Sequence, residues 1–405
     1  MKSIPLARNT PAATNAAPAT NASAAANAPS IDADVARRPR PPFRAEHVGS
    51  LLRPAALAAA RRQHEAGKLS AEQLREAEDC AVHDAVRMQE ELGFEAVTDG
   101  ELRRGAWHMD YLYQIGGVAR AASSLKLHFQ NASGGIEFTT SALAVTAALR
   151  HEKTIFGNDF LHLKSVARAV PKLTIPSPSM VHYRGGRAAV DPRVYPDLGE
   201  FFADLKRAYA GQIAALGALG CTYLQLDDTS LAYLNDPAQR DHVHALGGDA
   251  ARQHLVYIDL INGALAGRPA GMTVCVHLCR GNFRSSWVAS GGYDHVAEAL
   301  FNELRVDGFF LEYDDERSGG FEPLRFVPRD KRVVLGLVTS KRPQLENGDD
   351  VKRRVDAAAR FLDLDQLCLS PQCGFASTAE GNALDTAQQR AKLELVARTA
   401  REIWG

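Results

Sequence analysis

The sequence predicts an α/β fold: a (β/α)8 TIM barrel over residues 41–405, preceded by a disordered tail over residues 1–40. Three observations lead there. Past Pro42, apolar bursts of strand length alternate with helix-length amphipathic stretches, which is the pattern of a parallel sheet clothed in helices. The bursts number eight, the count such a barrel needs. Polar and thiol side chains recur at their C-terminal ends, where a barrel carries its chemistry: His47, Ser50, Asp99, Glu101, Asp227, Asp228, His277, Cys279, Glu312, Asp314, Ser340 and Cys373.

Taken in order, the tail "MKSIPLARNTPAATNAAPATNASAAANAPS" is Ala, Asn, Pro and Thr with few large apolar groups, too few to offset its ordering entropy. The expected strands are "FRAEHVGS", "FEAVTDGE", "PKLTIPSP", "TYLQLDD", "MTVCVHLC", "DGFFLEYDD", "RVVLGLVTS" and "QLCLSPQCGF". Between them, stretches such as "SAEQLREAEDCAVHDAVRMQEELG" and "DVKRRVDAAARFL" repeat apolar residues at i, i+3, i+4 and i+7. Residues 115–170 interrupt the alternation after the second strand with Ser, Ala and Gly, an insertion expected as a hairpin at the barrel mouth. A doubly wound dinucleotide fold is disfavoured, because "HVGSLLRP" lacks the G-x-G-x-x-G fingerprint.

Composition excludes several classes. A formal net charge of −1 gives no basic excess for nucleic acid or an anionic membrane. No apolar run is long enough to span a bilayer. Six cysteines in 405 residues are too sparse for a disulfide scaffold, so a reducing cytoplasm is the expected setting.

"VCVHLCRGNFRS" sets His277 and Cys279 on one side of a strand end, since i and i+2 share a face. Alone, the pair is as easily a core thiol and a hydrogen-bonded imidazole. Glu312 then interrupts the next apolar strand and must be paired, protonated or bound to metal. Cys373, between "SPQ" and Gly374, sits in a turn that can aim its sulfur inward. His277, Cys279, Glu312 and Cys373 together make a tetrahedral zinc shell. Cys80, Cys221, Cys275 and Cys368 read as packed thiols.

From about residue 43 onward the chain resembles cobalamin-independent methionine synthase, in particular single-barrel relatives of its C-terminal catalytic half. The resemblance rests on "HVGSLLRP", "TDGELRR", "LQLDD", "HLCRGN", "LEYDDERSG", "GLVTSK" and "SPQCGF". It implies Zn2+ on the same four residues. It also implies homocysteine held by Gly49, Ser50, Glu101 and Asp227, and methyl transfer to its thiol to give methionine. The two acids would grip the ammonium group and the Ser50 turn the carboxylate; salt bridges to Arg53, Arg103 or Arg104 are the plainer use of those acids.

The chain departs from the family pattern twice. The second, folate-holding barrel of the long enzymes has no counterpart here. The seventh strand ends "GLVTSKRPQ", without the histidine that protonates the departing folate nitrogen; Lys341 is the one candidate acid nearby. Both departures leave the methyl donor open. Trp107, Tyr111 and Phe283 are candidates to stack a flat donor, and Arg280, Arg284, Lys341 and Arg342 to attract an anionic one, although core packing and surface solvation are competing roles. Two other functions stay in play: an alkyltransferase acting on another thiol, as in epoxyalkane:coenzyme M transfer, and a non-catalytic zinc-binding barrel. The partners expected are small molecules, a thiol and a methyl donor, with neither nucleic acid nor membrane.

Overall fold

The computed structural model describes residues 40–122, 126–131, 134–139 and 141–405. The tail expected at residues 1–40 lies, through residue 39, outside the described residues. Residues Arg40–Gly405 form one compact unit.

In chain order the unit begins α1 (Ala55–Glu65), α2 (Ala71–Glu91), β1 (Ala96–Val97) and α3 (Met109–Leu112). The insertion follows as β2 (Gly116–Ala121), β3 (Lys126–Asn131), β4 (Gly134–Thr139), β5 (Ala142–Arg150) and α4 (Gly157–Val166). Then come β6 (Val170–Pro176), α5 (Leu198–Ala218), β7 (Tyr223–Asp228), α6 (Ser230–Tyr233), α7 (Pro237–Ala245), α8 (Gln253–Ala264) and β8 (Thr273–Leu278). The remainder is α9 (Ala297–Glu303), β9 (Gly308–Glu312), β10 (Arg332–Val338), α10 (Gly348–Ala358), β11 (Leu367–Pro371) and α11 (Thr386–Trp404). Local chemistry fixes several ends. Ser70 with Gln73, and Asp385 with Gln388, close capping boxes at the starts of α2 and α11, each satisfying two otherwise orphaned backbone N–H groups.

The main sheet runs β1-β6-β7-β8-β9-β10-β11, and every pair in it is parallel. Eight bursts thus yield seven strands, which corrects the expectation of eight. "FRAEHVGS" contributes one parallel bridge, Ala45 to Leu369, and then leaves strand geometry at Gly49, whose φ is 150°. "FEAVTDGE" is cut to two strand residues because Gly100 and Glu101 turn the chain at φ of 64° and 54°. The sheet nevertheless curls. Phe43, Val48, Ala96, Tyr223, Cys275, Phe310, Val334 and Cys368 meet in one buried inner cluster. Two of the thiols expected to be packed are therefore barrel-side core, while Cys80 is exposed on α2.

Register decides where the chemistry sits. Pro176 is level with Asp227, and Asp227 with His277. Gly336 is level with Glu312 on the far side of β9. All these residues lie at the same, C-terminal, end of the sheet. The insertion covers that end. β2 pairs antiparallel with β5, and β3 with β4. β3 is tied to the loop after β8, where the Gln130 N–H donates to the Trp287 carbonyl at 2.7 Å and Trp287 returns the bond at 2.9 Å.

At the opposite end a buried ion pair anchors the 43–48 segment. Lys172 Nζ lies 2.9 Å from Glu46 Oε2, and both side chains are at most 1% exposed. Tyr223 Oη and the Phe43 N–H donate to Glu46 Oε1 at 2.9 and 3.0 Å. Removing one partner of such a pair strands a buried charge at a cost of about 3–5 kcal/mol, whereas removing both costs far less. Lys172→Met should therefore lose about that much stability in urea unfolding, and Glu46→Gln/Lys172→Met should recover much of it. A single variant within 1 kcal/mol of the parent would show the pair to be dispensable.

Candidate metal centre and substrate cavity

Four side chains from three places in the sheet converge at its C-terminal end. His277 and Cys279 come from the end of β8 and the residue beyond it, Glu312 closes β9, and Cys373 follows β11. All four are buried, and one ligand atom from each lies within 4.8 Å of every other. The two sulfurs are 3.5 Å apart. Neither nitrogen of the buried His277 ring has a hydrogen-bond partner, an expense a bound cation would remove. Two thiols, an imidazole and a carboxylate in this arrangement suit a soft divalent ion, zinc above all.

The protonation pattern fits such a site. The hydrogen bond between the sulfurs drives them apart: Cys373 is held well below the usual thiol range and Cys279 is pushed well above it. Burial works against charge on His277, but the neighbouring Cys373, Asp227 and Glu312 outweigh it and raise its pKa. Burial raises Glu312, and Lys341 opposes that rise. A cation entering here displaces protons held close together, so binding strengthens as pH rises.

Outer contacts hold the four in place. Glu312 Oε1 accepts the Arg280 N–H at 3.0 Å, and Oε2 lies 3.3 Å from Arg317 Nη2. The Cys373 turn is clasped from three sides. The Gly374 carbonyl accepts from Asn282 Nδ2 at 2.7 Å and from Ser340 Oγ at 2.9 Å, and the Phe375 N–H donates to the Ser50 carbonyl at 2.9 Å. A Cβ on Gly374 would overlap Ser50 Oγ and come within 3.2 Å of Ser50 Cβ, so any other residue would turn the Ser50 hydroxyl out of its present place.

The tetrad forms one side of a cavity that Ser50, Glu101 and Asp227 also line. Glu101 holds an unusual positive φ of 54°, with its N–H donating to Asp99 Oδ1 at 2.9 Å. Its Oε1 accepts from Thr174 Oγ1 at 2.9 Å, and Oε2 makes no hydrogen bond. Gly49 is required beside it, because a Cβ there would meet Thr174 Cγ2 at 2.8 Å and Glu101 Oε1 at 3.2 Å. Gln225 Nε2 donates to Asp227 Oδ1 at 2.7 Å. Burial, and then the charge of Glu101, push Asp227 up to about 7; burial likewise raises Glu101. Two buried carboxylates facing one cavity call for a cationic ligand group.

A family model described as cobalamin-independent synthase, catalytic domain, matches residues 188–395. A solved structure described as a putative vitamin-B12 independent methionine synthase from Listeria monocytogenes is 36% identical, covers 90% of this chain and 98% of its own, and superposes with a TM-score of 0.70. The chain belongs to the cobalamin-independent methionine synthase family. It is a single-domain relative, in a family whose chemistry is methyl transfer in methionine synthesis. The Bacillus subtilis protein YxjH, itself uncharacterised, is 48% identical over 90% of this chain and 95% of its own length. The methionine synthase of Pyrococcus abyssi is 24% identical over 81% and 84%. A B12-independent methionine synthase from Shewanella, solved in complex with selenomethionine, shares the fold at 19% identity, with a TM-score of 0.65 over 89% and 97% of the two chains.

Within this methionine synthase relative, the arginines expected as plain salt-bridge partners divide. Arg104 Nη1 lies 3.6 Å from Glu101 Oε2. Arg103 is taken by Glu78, Asp79 and Asp159. Arg53 donates to the carbonyls of Leu51, Glu101, Arg104 and Ala376. Asp227 forms no ion pair among the described residues. Trp107 and Phe283 line the cavity, but Tyr111 lies elsewhere, 5.7 Å from both the Phe156 and Tyr209 rings. Lys341 is buried with its Nζ unpartnered, and it is not on the cavity wall. Arg280 is fully buried, its guanidinium 4.4 Å from the Tyr293 ring centre.

The insertion expected as a hairpin at the mouth does cover the cavity, but the sequence did not single out the residues that reach it. Phe129 and Phe138, on β3 and β4, reach the cavity and pack on Phe283 at 5.4 and 4.4 Å between ring centres. His108, stacked on Trp107 at 4.4 Å, and Arg184 line it too. The alternation in "KLHFQ" and "GGIEFT" signals a ribbon but not which of its residues face the cavity.

Asp227 supplies a pH test. An unfolded Asp ionises near 3.9. With the native value at about 7, the folded chain keeps a proton between those pH values that the unfolded chain has lost. That contribution to stability is present at low pH and fades as pH rises through the window. Asp227→Asn should therefore gain on the parent in melting temperature between pH 5 and pH 7.5. Parallel pH profiles for the two proteins would contradict this.

Proposed function

We propose that this protein is a zinc-dependent S-methyltransferase that passes a methyl group to the thiol of homocysteine and yields methionine. The observation that carries the reading is one cavity with the His277–Cys279–Glu312–Cys373 tetrad on one side and the Glu101–Asp227 carboxylate pair on another. We also read residues 43–48 as the eighth stave of a (β/α)8 barrel, since they bridge to β11 while the Leu51 N–H donates to the Gly100 carbonyl, just past β1, at 2.9 Å.

Zinc, when bound, would keep the substrate sulfur as a nucleophilic thiolate at neutral pH. The protein residues do the rest. Glu101 and Asp227 bind the α-ammonium group, whose positive charge favours their ionised forms. The Ser50 turn takes the α-carboxylate. Together these contacts point the thiol at the tetrad, and fixed orientation of this kind lowers the entropic part of the barrier. Glu312 is the tetrad member with alternative partners, the Arg280 N–H and Arg317, so it is the donor able to yield its place to the substrate. The aromatic cover excludes water, which would solvate and blunt a thiolate. A coenzyme M-type thiol fits less well, because it carries no ammonium for the carboxylate pair.

The assay is methionine formation from homocysteine with a panel of methyl donors; no methionine from any of them would sink the reading. Cys279→Ser and Cys373→Ser should each lose most bound zinc and methyl transfer. Full zinc occupancy in both, by elemental analysis, would dismiss the tetrad as the metal site.

Methyltetrahydrofolate should be a poor donor. Its tertiary amine leaves well only if protonated as the C–N bond breaks, help worth about 10²–10⁴-fold. No histidine ends β10, and Lys341 is off the cavity wall. Turnover with methyltetrahydrofolate matching that of a two-barrel enzyme would refute this, and Lys341→Met would then show whether Lys341 supplies the proton.

A further inference from the structure

Glu101 and Asp227 face one cavity, but only Glu101 has a cation beside it. Arg104 is 3% exposed, and its Nη1 lies 3.6 Å from Glu101 Oε2. Asp227 has no ion pair among the described residues, and its Oδ1 is held by the neutral amide of Gln225. Arg104 does not line the cavity that Glu101 lines, so it reaches the carboxylate from outside.

The guanidinium is fixed from two further directions. Nη2 donates to the Thr174 carbonyl at 2.7 Å, and the Phe156 ring centre lies 4.3 Å from Cζ. Thr174 joins both members of the pair, because its hydroxyl donates to Glu101 Oε1 at 2.9 Å. The Arg104 N–H donates to the Glu101 carbonyl at 3.0 Å, and Arg53 Nη2 donates to the carbonyls of both residues at 3.0 Å. Glu101 at φ 54° and Phe156 at φ 59° are two of four non-glycine residues with positive φ among the described residues. Such residues persist only where their surroundings over-determine them, and here they stand at both ends of one chain of contacts.

Two effects of Arg104 oppose each other. Its charge favours an ionised Glu101, and the same charge repels an arriving ammonium group. Burial raises Glu101 and Asp99 adds to the rise; Arg104, ahead of Thr174 and Arg53, works against it. Without that counterweight, a buried acid sharing a cavity with a second one tends to keep a proton and offers an ammonium group no charge. The separation of 3.6 Å is too long for a hydrogen bond, and Glu101 Oε2 makes none. Arg104 therefore supplies charge and leaves that oxygen's lone pairs to a ligand. Because the ligand comes from the cavity, the carboxylate stands between the two cations and the repulsion is the smaller effect.

We infer that Arg104 is a positioning residue for the acceptor amino acid: it holds Glu101 ionised, fixed in direction and with one oxygen free for the substrate's ammonium group. This deepens the proposed homocysteine site and rests on it.

Isothermal titration of the zinc-loaded full chain with L-methionine, the thioether that carries the same ammonium and carboxylate groups, tests this through a double-mutant cycle. Arg104→Met should weaken binding about tenfold or more, and Arg104→Lys less, since it keeps a charge but not the fixed fork. In a Glu101→Gln chain, Arg104→Met should bring no further loss. In an Asp227→Asn chain the loss should persist. A purely structural arginine would instead weaken binding equally in all three backgrounds, and that result, or an unchanged affinity in the parent background, overturns the inference. Should Arg104→Met fail to fold, judged by its melting temperature, the same cycle with Arg104→Lys decides, its smaller loss again vanishing only beside Glu101→Gln. A parent chain that binds no L-methionine removes the amino-acid site and this inference with it. The expected pattern of binding without methionine formation from homocysteine and any donor would end the functional reading and leave the role of Arg104 standing.

Discussion

The fit of Gly374 against the Ser50 turn is the constraint on which the site depends. With the Ser50 hydroxyl where it lies there is no room for a side chain on Gly374, so the first and last segments of the unit meet backbone to side chain. The contact does two things at once. It aims Cys373 at the residues from β8 and β9, and it sets Ser50 on the wall of the same cavity. The candidate metal ligands and the Ser50 wall of the cavity are therefore positioned by one clasp. At the far end the Glu46–Lys172 pair fixes the same N-terminal segment. Because residues 43–50 make only one sheet bridge, these two attachments do what ladder hydrogen bonds do for the other strands.

Charge at the tetrad has to be balanced without water. Two thiolates and a carboxylate around a divalent cation leave a formal excess of one negative charge, buried at the sheet end. Arg317 answers it directly through Glu312, and Asp314 and Asp315 in turn hold Arg317. Lys341 acts at longer range, pulling against the rise of Glu312 and Cys279. Its Nζ is buried without a hydrogen bond and off the cavity wall.

Residues that violate their surroundings were legible in the sequence. Glu312 in an apolar strand, the His277/Cys279 pair at a strand end and Cys373 before a glycine are all costly unless something pays, and the structure brings them together. The alternation of bursts and helices gave the parallel sheet for the same reason, since each periodicity states which face is buried. What stayed hidden depends on distant backbone. The Asp99–Glu101 turn shortens β1, and only the three-dimensional path of "FRAEHVGS" shows why it bridges once. Tyr111 looks like a site aromatic and is core, while Phe129 and Phe138 look like ribbon residues and are the roof.

That roof also shows how the far side of the cavity at the sheet end is walled. A sheet end alone offers one wall. Here the insertion between β1 and β6 folds back, bonds to the loop after β8 and lays two phenylalanines across the opening. Electrostatic interactions strengthen as water leaves, so the cover sharpens the influence that the Glu101–Asp227 pair and the tetrad exert within the cavity they share. The same ribbon ends beside a second cavity, where Ala121 and Ala142 keep its own side chains short. One insertion thus contributes to the walls of both cavities, which share His108 and Arg184.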